Sequence, residues 1–204
     1  MAVVVEHDKR KHEILAKSLD LFTEDGYDDV TFQKIADRCG ITRTTLYIYF
    51  KNKREIFTYS IKQFTDSLEK NLLEISQDNS ISAGKCLGKI IKTIIKDIED
   101  NRQLIKIIIE YLLAIQKTGT NVREKISRRL IRVRHLINTV IIRGIENKEI
   151  KSGKIKDINR LFTSLFESAV LHITVYGDEN LDDLITAVDE CVDCISLTKN
   201  RSSQ

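Results

Sequence analysis

Thr31-Phe32-Gln33-Lys34-Ile35-Ala36-Asp37-Arg38-Cys39-Gly40-Ile41-Thr42-Arg43-Thr44-Thr45-Leu46-Tyr47-Ile48 decides how the chain is to be read. Thr31 is placed to cap a short helix from Phe32 to Arg38, its hydroxyl accepting from the free amides of the first turn. Cys39-Gly40-Ile41 then makes a tight turn, with glycine where a positive backbone angle costs least. Thr42 repeats the capping for a second short helix, Arg43 to about Ile48. Two short helices joined through a glycine turn form a helix-turn-helix. Ala36 lets them approach, and Ile35, Ile41 and Leu46 are spaced to fill a small core with Ile14, Leu15 and Phe22.

The second of these helices has a surface suited to a groove. Arg43, Thr44, Thr45, Tyr47 and Tyr49 bring donors and flat apolar faces, and none is acidic. Small polar residues at a helix start let the backbone sit deep, and arginine can reach a guanine edge. Lys51-Asn52-Lys53-Arg54 follow and are placed to grip phosphates, helped by the amides that open the next helix. Charge agrees: residues 34–54 hold six bases and one acid, net +5, whereas residues 1–33 hold four bases and eight acids, net −4. The overall balance of +3 hides this segregation.

The run Gly26-Tyr27, Thr31, Ile35-Ala36, Gly40-Ile41-Thr42, Leu46-Tyr47, Tyr49-Phe50, Lys53 and Ile56 resembles the N-terminal signature of TetR-type transcriptional repressors. The likeness covers roughly residues 9–56. Cys39 stands where the pattern more often has alanine, and Thr44 where glycine is frequent. The resemblance implies that Thr31 binds phosphate and that Thr42, Arg43 and Thr44 face the major groove. It implies that Thr45, Tyr47 and Tyr49 share base and phosphate contacts, and that Lys53 anchors the DNA backbone at the start of the fourth helix. Leu46 and Phe50 are assigned to the core.

Outward from this segment the chain reads as helix. A first helix is expected over Asp8–Thr23, from Ile14, Leu15, Leu19 and Phe22 at helical spacing. Lys9-Arg10-Lys11 at its start is either a solvated face or an anion contact. Further helices are expected over Lys53–Gln77, Ile81–Glu99, Arg102–Lys117 capped by Asn101, Asn121–Glu146, a segment capped by Asp157 and running to Tyr176, and Leu181–Leu197. The tail from Thr198 to Gln204 is polar. The chain has no proline, which leaves room for long unbroken helices. The expected fold is all-α: a helix-turn-helix domain over residues 1–52, then a helical ligand-binding and dimerisation domain over residues 53–204.

In the resemblance the last two long helices pair with those of a second subunit. Leu165 and Val170 on one, and Leu184, Val188 and Ile195 on the other, are the candidates for that contact. The resemblance also implies a ligand pocket among the later helices. Tyr111, His135, Phe162, Phe166 and His172 place aromatic or polar groups among aliphatic ones, so each is a lining candidate or a packing residue. The 30 isoleucines suit an apolar or aromatic effector.

Other patterns carry less. Cys191-x-x-Cys194 is a single pair lacking the further ligands zinc needs, which leaves packing or a redox-sensing role. Arg123, Lys125, Arg128, Arg129, Arg132 and Arg134, against Glu124, make a second basic window, read as a solvated face or as a contact for nucleic acid or an acidic effector. Gly84-x-x-x-Gly88 lacks the lysine–hydroxyl ending of a phosphate loop, and no Gly-x-Ser-x-Gly elbow occurs. No metal site, cofactor or catalytic residue is expected, and no membrane span. The missing leader-like N-terminus and the scattered cysteines point to a reduced, cytoplasmic protein. The expected function is a homodimeric DNA-binding repressor released from a palindromic operator by a small molecule. The alternatives are control by a protein partner or by cysteine oxidation, or a helical enzyme.

Overall fold

The computed structural model describes residues 2–178 and 180–197, with side chains from Glu6 onward except at 123 and 125–129. Arg123, Lys125, Arg128 and Arg129 of the second basic window, and the tail 198–204, therefore lie outside what is described here. The helices are α1 (Ala2–Asp25), α2 (Phe32–Cys39), α3 (Arg43–Tyr49), α4 (Lys53–Ser76), α5 (Ala83–Asp100), α6 (Arg102–Gln116), α7 (Val122–Glu146), α8 (Ile155–Leu171) and α9 (Asp182–Ile195). A π-helical turn, His172–Tyr176, extends α8. An isolated antiparallel bridge joins Ile150 to Ser196. The all-α expectation holds. Among the described residues no helix is long and apolar enough to cross a membrane.

Two compact units result: residues 1–68 with 107–111, and residues 69–106 with 112–204. The cut by packing falls within α4, where the sequence reading divides the chain ahead of it, because Ile56 and Phe57 of α4 are fully buried. In the first unit, α2 packs on α1 and on α3. Its core holds Ile14, Phe22, Ile35, Leu46 and Phe50. An aromatic cluster joins Tyr27, Phe57 and Tyr111, with ring centroids 4.7–4.9 Å apart. Ser60 adds a buried hydrogen bond, donating to the Leu15 carbonyl at 2.8 Å.

In the second unit α5 is central and packs on α7, α8 and α9. Its Ile90, Ile91 and Ile95 are fully buried. The Gly84-x-x-x-Gly88 pair has a packing purpose: a Cβ on Gly88 would lie 3.1 Å from Val192, and one on Gly84 2.6 Å from the Ser196 hydroxyl. Small residues at this spacing let α9 approach α5 closely. Gly144 of α7 is tighter still, since a Cβ there would lie 2.7 Å from Ala83 Cβ and 2.5 Å from Ile150 Cδ1.

Several local expectations need correction. α1 begins at Ala2, so Lys9-Arg10-Lys11 sit within the helix and not at its start. Arg10 reaches the carboxylate of Glu13 at 3.0 Å and the carbonyl of Cys39 at 3.2 Å. Asn101 makes no side-chain cap for α6; its amide donates back to the Asp97 carbonyl at 2.8 Å. Asp157 lies in the first turn of α8, and Lys154 holds the cap position without a side-chain bond.

Gly144→Ala is expected to destabilise the protein by about 1–3 kcal/mol, because the added methyl meets atoms that must move. Gly153→Ala, whose nearest atom would be 3.8 Å away, is the control expected to leave stability unchanged. Thermal denaturation of the two variants measures both.

Candidate nucleic-acid interface

The geometry of α2 and α3 follows from caps on both sides of one glycine. Thr31 accepts from the amide of Lys34 at 3.1 Å. At the far end of α2, Gly40 is left-handed (φ 65°), and its amide donates to Asp37 O at 3.0 Å. The Ile41 amide donates to Ala36 O at 3.0 Å, which closes the helix. Thr42 then accepts from the Thr45 amide at 3.1 Å and opens α3. The Thr42 and Thr45 hydroxyls are 2.8 Å apart, and one donates to the other. One hydroxyl hydrogen of this pair remains for an outside acceptor, and Thr31 keeps its own.

The surface of α3 is built by its neighbours. Tyr47 rests on Phe32 with ring centroids 4.6 Å apart. Arg43 lies over the Tyr47 ring at 5.8 Å and donates to its hydroxyl at 3.3 Å. Tyr47 is nevertheless 51% exposed, and Arg43 and Thr44 are exposed too. Arg43 and Tyr47 thus form a stacked pair standing off the helix. Tyr49 instead stacks on His7 of α1, at 4.7 Å, and is half-buried. Lys11 of α1 lies 5.4 Å from the Phe50 ring centre.

One residue of this surface was missed from sequence. Ile48 is 70% exposed. At about 100° per residue it lies about 200° round α3 from the buried Leu46, so the position of Leu46 alone was enough to find it. A branched apolar side chain held in solvent between two tyrosines is suited to contact a thymine methyl.

The basic window is less uniform than its net charge. Lys34 is turned to α1, with Nζ 2.8 Å from the Asp25 carboxylate. Arg38 is likewise taken by Glu24, its Nη1 at 3.1 Å. Through that hydrogen bond, Arg38 holds the Glu24 carboxyl below its ordinary range. Lys53 donates to the carbonyls of Tyr27 at 2.8 Å and Asp28 at 3.1 Å, and lies 4.5 Å from the centre of the Tyr27 ring. Burial pushes the pKa of its amine down. Lys53 therefore clasps the segment between α1 and α2. Lys51, exposed beside it, keeps its ammonium outward while its backbone amide donates to Glu55 at 2.6 Å. Asn52 caps α4, accepting from the Glu55 amide at 2.9 Å. The Glu55 carboxylate also lies at this helix start, where it opposes an approaching anion. Arg43, Lys51 and Arg54 are exposed cations of this window, as are the paired Lys34 and Arg38.

The ligand candidates are not brought into one cavity. Phe162 and Phe166 are buried together on α8. Tyr111 belongs to the first unit's aromatic cluster, and its buried hydroxyl has no hydrogen-bond partner. His135 is exposed on α7. His172 opens the π turn and pairs with Asp178 at 2.6 Å. A cleft of about 660 Å³ lies between α7 and the start of α8, and none of the five lines it. Among the dimer candidates, Leu165, Val170, Leu184 and Ile195 are partly exposed. Val188 needs correction: it is 0% exposed within its own chain, facing Gly88 of α5. Among the described residues no group of three His, Cys, Asp or Glu side chains is placed to hold a metal.

The chain resembles known proteins in sequence and in fold. Residues 14–59 match the model for bacterial regulatory proteins of the tetR family. The fatty acid metabolism regulator protein of Bacillus subtilis (strain 168) is 26% identical over 145 residues, 69% of this chain and 71% of that one. The biofilm operon icaADBC HTH-type negative transcriptional regulator IcaR of Staphylococcus aureus (strain Newman) is 32% identical over 90 residues. That match covers 44% of this chain and about half, 48%, of IcaR. The structure of the transcriptional regulator FadR from Bacillus subtilis in complex with stearoyl-CoA superposes with a TM-score of 0.68 at 21% identity, over 88% of this chain and 94% of that one.

Replacing Lys53 by methionine is expected to cost about 1–2 kcal/mol of stability, since two carbonyls lose a charged donor. Lys51→Met, which removes only an exposed ammonium, leaves the melting temperature unchanged. Equal melting of the two variants would sink the clasp assigned to Lys53.

Proposed function

We infer, from the match of residues 14–59 to the tetR family of bacterial regulatory proteins and the likeness to its members, that this chain is a DNA-binding transcription regulator, a repressor released from a palindromic operator by a small molecule with an apolar part. The observation that carries the DNA side is the surface of α3: Arg43, Thr44, Tyr47 and Ile48 exposed on a helix opened by a threonine cap and bearing no carboxylate. In this reading Arg43 and Thr44 meet base edges and Ile48 meets thymine methyls. Thr31, and whichever of Thr42 and Thr45 keeps its hydroxyl hydrogen, donate to phosphates, and Lys51 supplies charge. Tyr47 holds Arg43 in place, and Tyr49 supports α3 from the side of α1. Lys53 acts on the DNA through the fold. Likeness to IcaR, a negative regulator, supports repression.

A palindrome needs two reading heads, hence a two-fold dimer. The outward apolar residues of the second unit supply the face: Leu161 and Leu165 on α8, Val175 on the π turn, and Leu184 with Cys191 on α9. For the effector, likeness to FadR, whose structure holds stearoyl-CoA, supports a long-chain acyl thioester. Such a ligand lowers DNA affinity only by the difference between its affinities for the released and the DNA-competent conformations. α4 contributes to both compact units and is the natural transmitter. The likeness to regulators lends nothing to the helical-enzyme alternative. Burial pushes up the thiols of Cys39, Cys86 and Cys191, which disfavours oxidation at these three.

Selection of bound fragments from a random DNA pool is expected to return a palindrome. Arg43→Ala and Ile48→Ala should each weaken binding to it by about 1–3 kcal/mol. Lys34→Ala should leave the salt dependence of binding unchanged, because that charge is spent on Asp25, whereas Lys51→Ala lowers the slope by about one. Leu161→Glu should give a folded monomer by light scattering, with operator affinity lost. Stearoyl-CoA should release the operator in a gel-shift titration; a wild type that binds no palindrome overturns the whole reading.

A further inference from the structure

The cleft between α7 and α8 has a chemistry that an acyl chain does not use. Among its lining residues are three cations, Arg134, Lys156 and Arg160, and one carboxylate, Asp157. Asn159 also lines it and is 8% exposed. Its side-chain amide donates to the Arg134 carbonyl at 2.9 Å and to the Asn138 side chain at 2.8 Å. These bonds tie α8 to α7 and hold the cleft open at a fixed width. Arg134 is steadied from the rim, 3.3 Å from the Glu167 carboxylate.

The cleft also takes in the first turn of α8. Lys154 at the cap position offers no side-chain acceptor. The amides of Ile155 and Lys156, both at the cleft, have no acceptor within a regular helix. The positive end of the helix and three side-chain cations therefore converge on one concavity. Its walls are not purely charged: Ile155 and the aliphatic stems of Arg134, Lys156 and Arg160 offer flat apolar surface. Its volume of about 660 Å³ is much larger than a bare phosphate needs and falls in the range of small-molecule sites.

We propose that this cleft binds a phosphorylated nucleotide, its phosphates held by Lys156, Arg160 and the start of α8, and its base laid on the arginine stems. A free nucleotide and the nucleotide portion of a coenzyme A thioester share this chemistry. The site stands apart from the effector reading above, since it requires no acyl chain. Asp157 opposes the anion and Glu167 takes up Arg134, which leaves Lys156 and Arg160 as the cations that face it. Guanidinium and ammonium groups bonding to phosphate carry most of the attraction.

Calorimetric titration of the full-length protein with ADP, coenzyme A and inorganic phosphate, at low salt, tests this. ADP and coenzyme A should bind, with inorganic phosphate weaker by about tenfold or more. Lys156→Ala and Arg160→Ala, both at exposed positions, should each weaken ADP by about tenfold, the loss of one charge-assisted bond, with melting temperature and operator binding unchanged. Coenzyme A binding more tightly than ADP would name the thioester as the source, and equal binding a free nucleotide; both support the site. Absence of ADP and coenzyme A binding, inorganic phosphate as tight as ADP, or variants that bind like wild type overturn it. If acyl thioesters fail to release DNA while ADP still binds, only the effector reading falls.

Discussion

The angle between α2 and α3 is set at Gly40, and the reading surface depends on it. The left-handed backbone there lets the Gly40 and Ile41 amides close α2, while Thr42, two residues on, opens α3. An L-residue at Gly40 finds empty space for its Cβ, so sterics outside the turn do not forbid it. The cost lies in the backbone itself, about 1–2 kcal/mol for a left-handed non-glycine residue. That cost falls on the one joint that aims α3. Once the joint is fixed, Phe32 of α2 arrives under Tyr47, and Tyr47 under Arg43. The order of support runs from backbone angle to ring stack to guanidinium.

Charge in the first unit is divided between holding and reading. Lys34 and Arg38 fasten α2 to the acidic end of α1, at Asp25 and Glu24. Both pairs are exposed, so each adds little to stability. Their larger effect is electrostatic bookkeeping: they remove two cations from the field a nucleic acid meets. Lys53 is spent differently, on carbonyls of the segment between α1 and α2. The second unit uses small residues instead of charge, with Gly84, Gly88 and Gly144 bringing α9 and Ile150 close to their neighbours.

Much of this was legible in the sequence, and the exceptions have physical causes. The caps at Thr31 and Thr42 and the glycine turn are local, so residue type and spacing reveal them. The partners of Lys34 and Arg38 lie nine and fourteen residues back and depend on how α2 packs on α1, which no local pattern encodes. Val188 and Leu184 are both apolar on α9, and only the position of Gly88 decides that Val188 faces inward. Asn101 and Asp157 are both good caps by type, but each stands where the chain enters its helix differently. The π turn at His172–Tyr176 left no mark, since its residues fit an α-helix equally well. The proposed nucleotide cleft is not local either: Arg134 belongs to the basic window of α7, while Lys156 and Arg160 come from α8.

Ile48 has a thermodynamic consequence as well as a structural one. It is the most exposed large apolar side chain of the helix-turn-helix, and in the proposed complex water must leave it when α3 enters a groove. Burying apolar surface lowers the heat capacity of the complex. Phosphate contacts instead respond chiefly to the ions they displace. In the proposed complex, association with DNA therefore shows a curved temperature dependence that persists when salt has weakened the ionic contribution, with Ile48 among its sources.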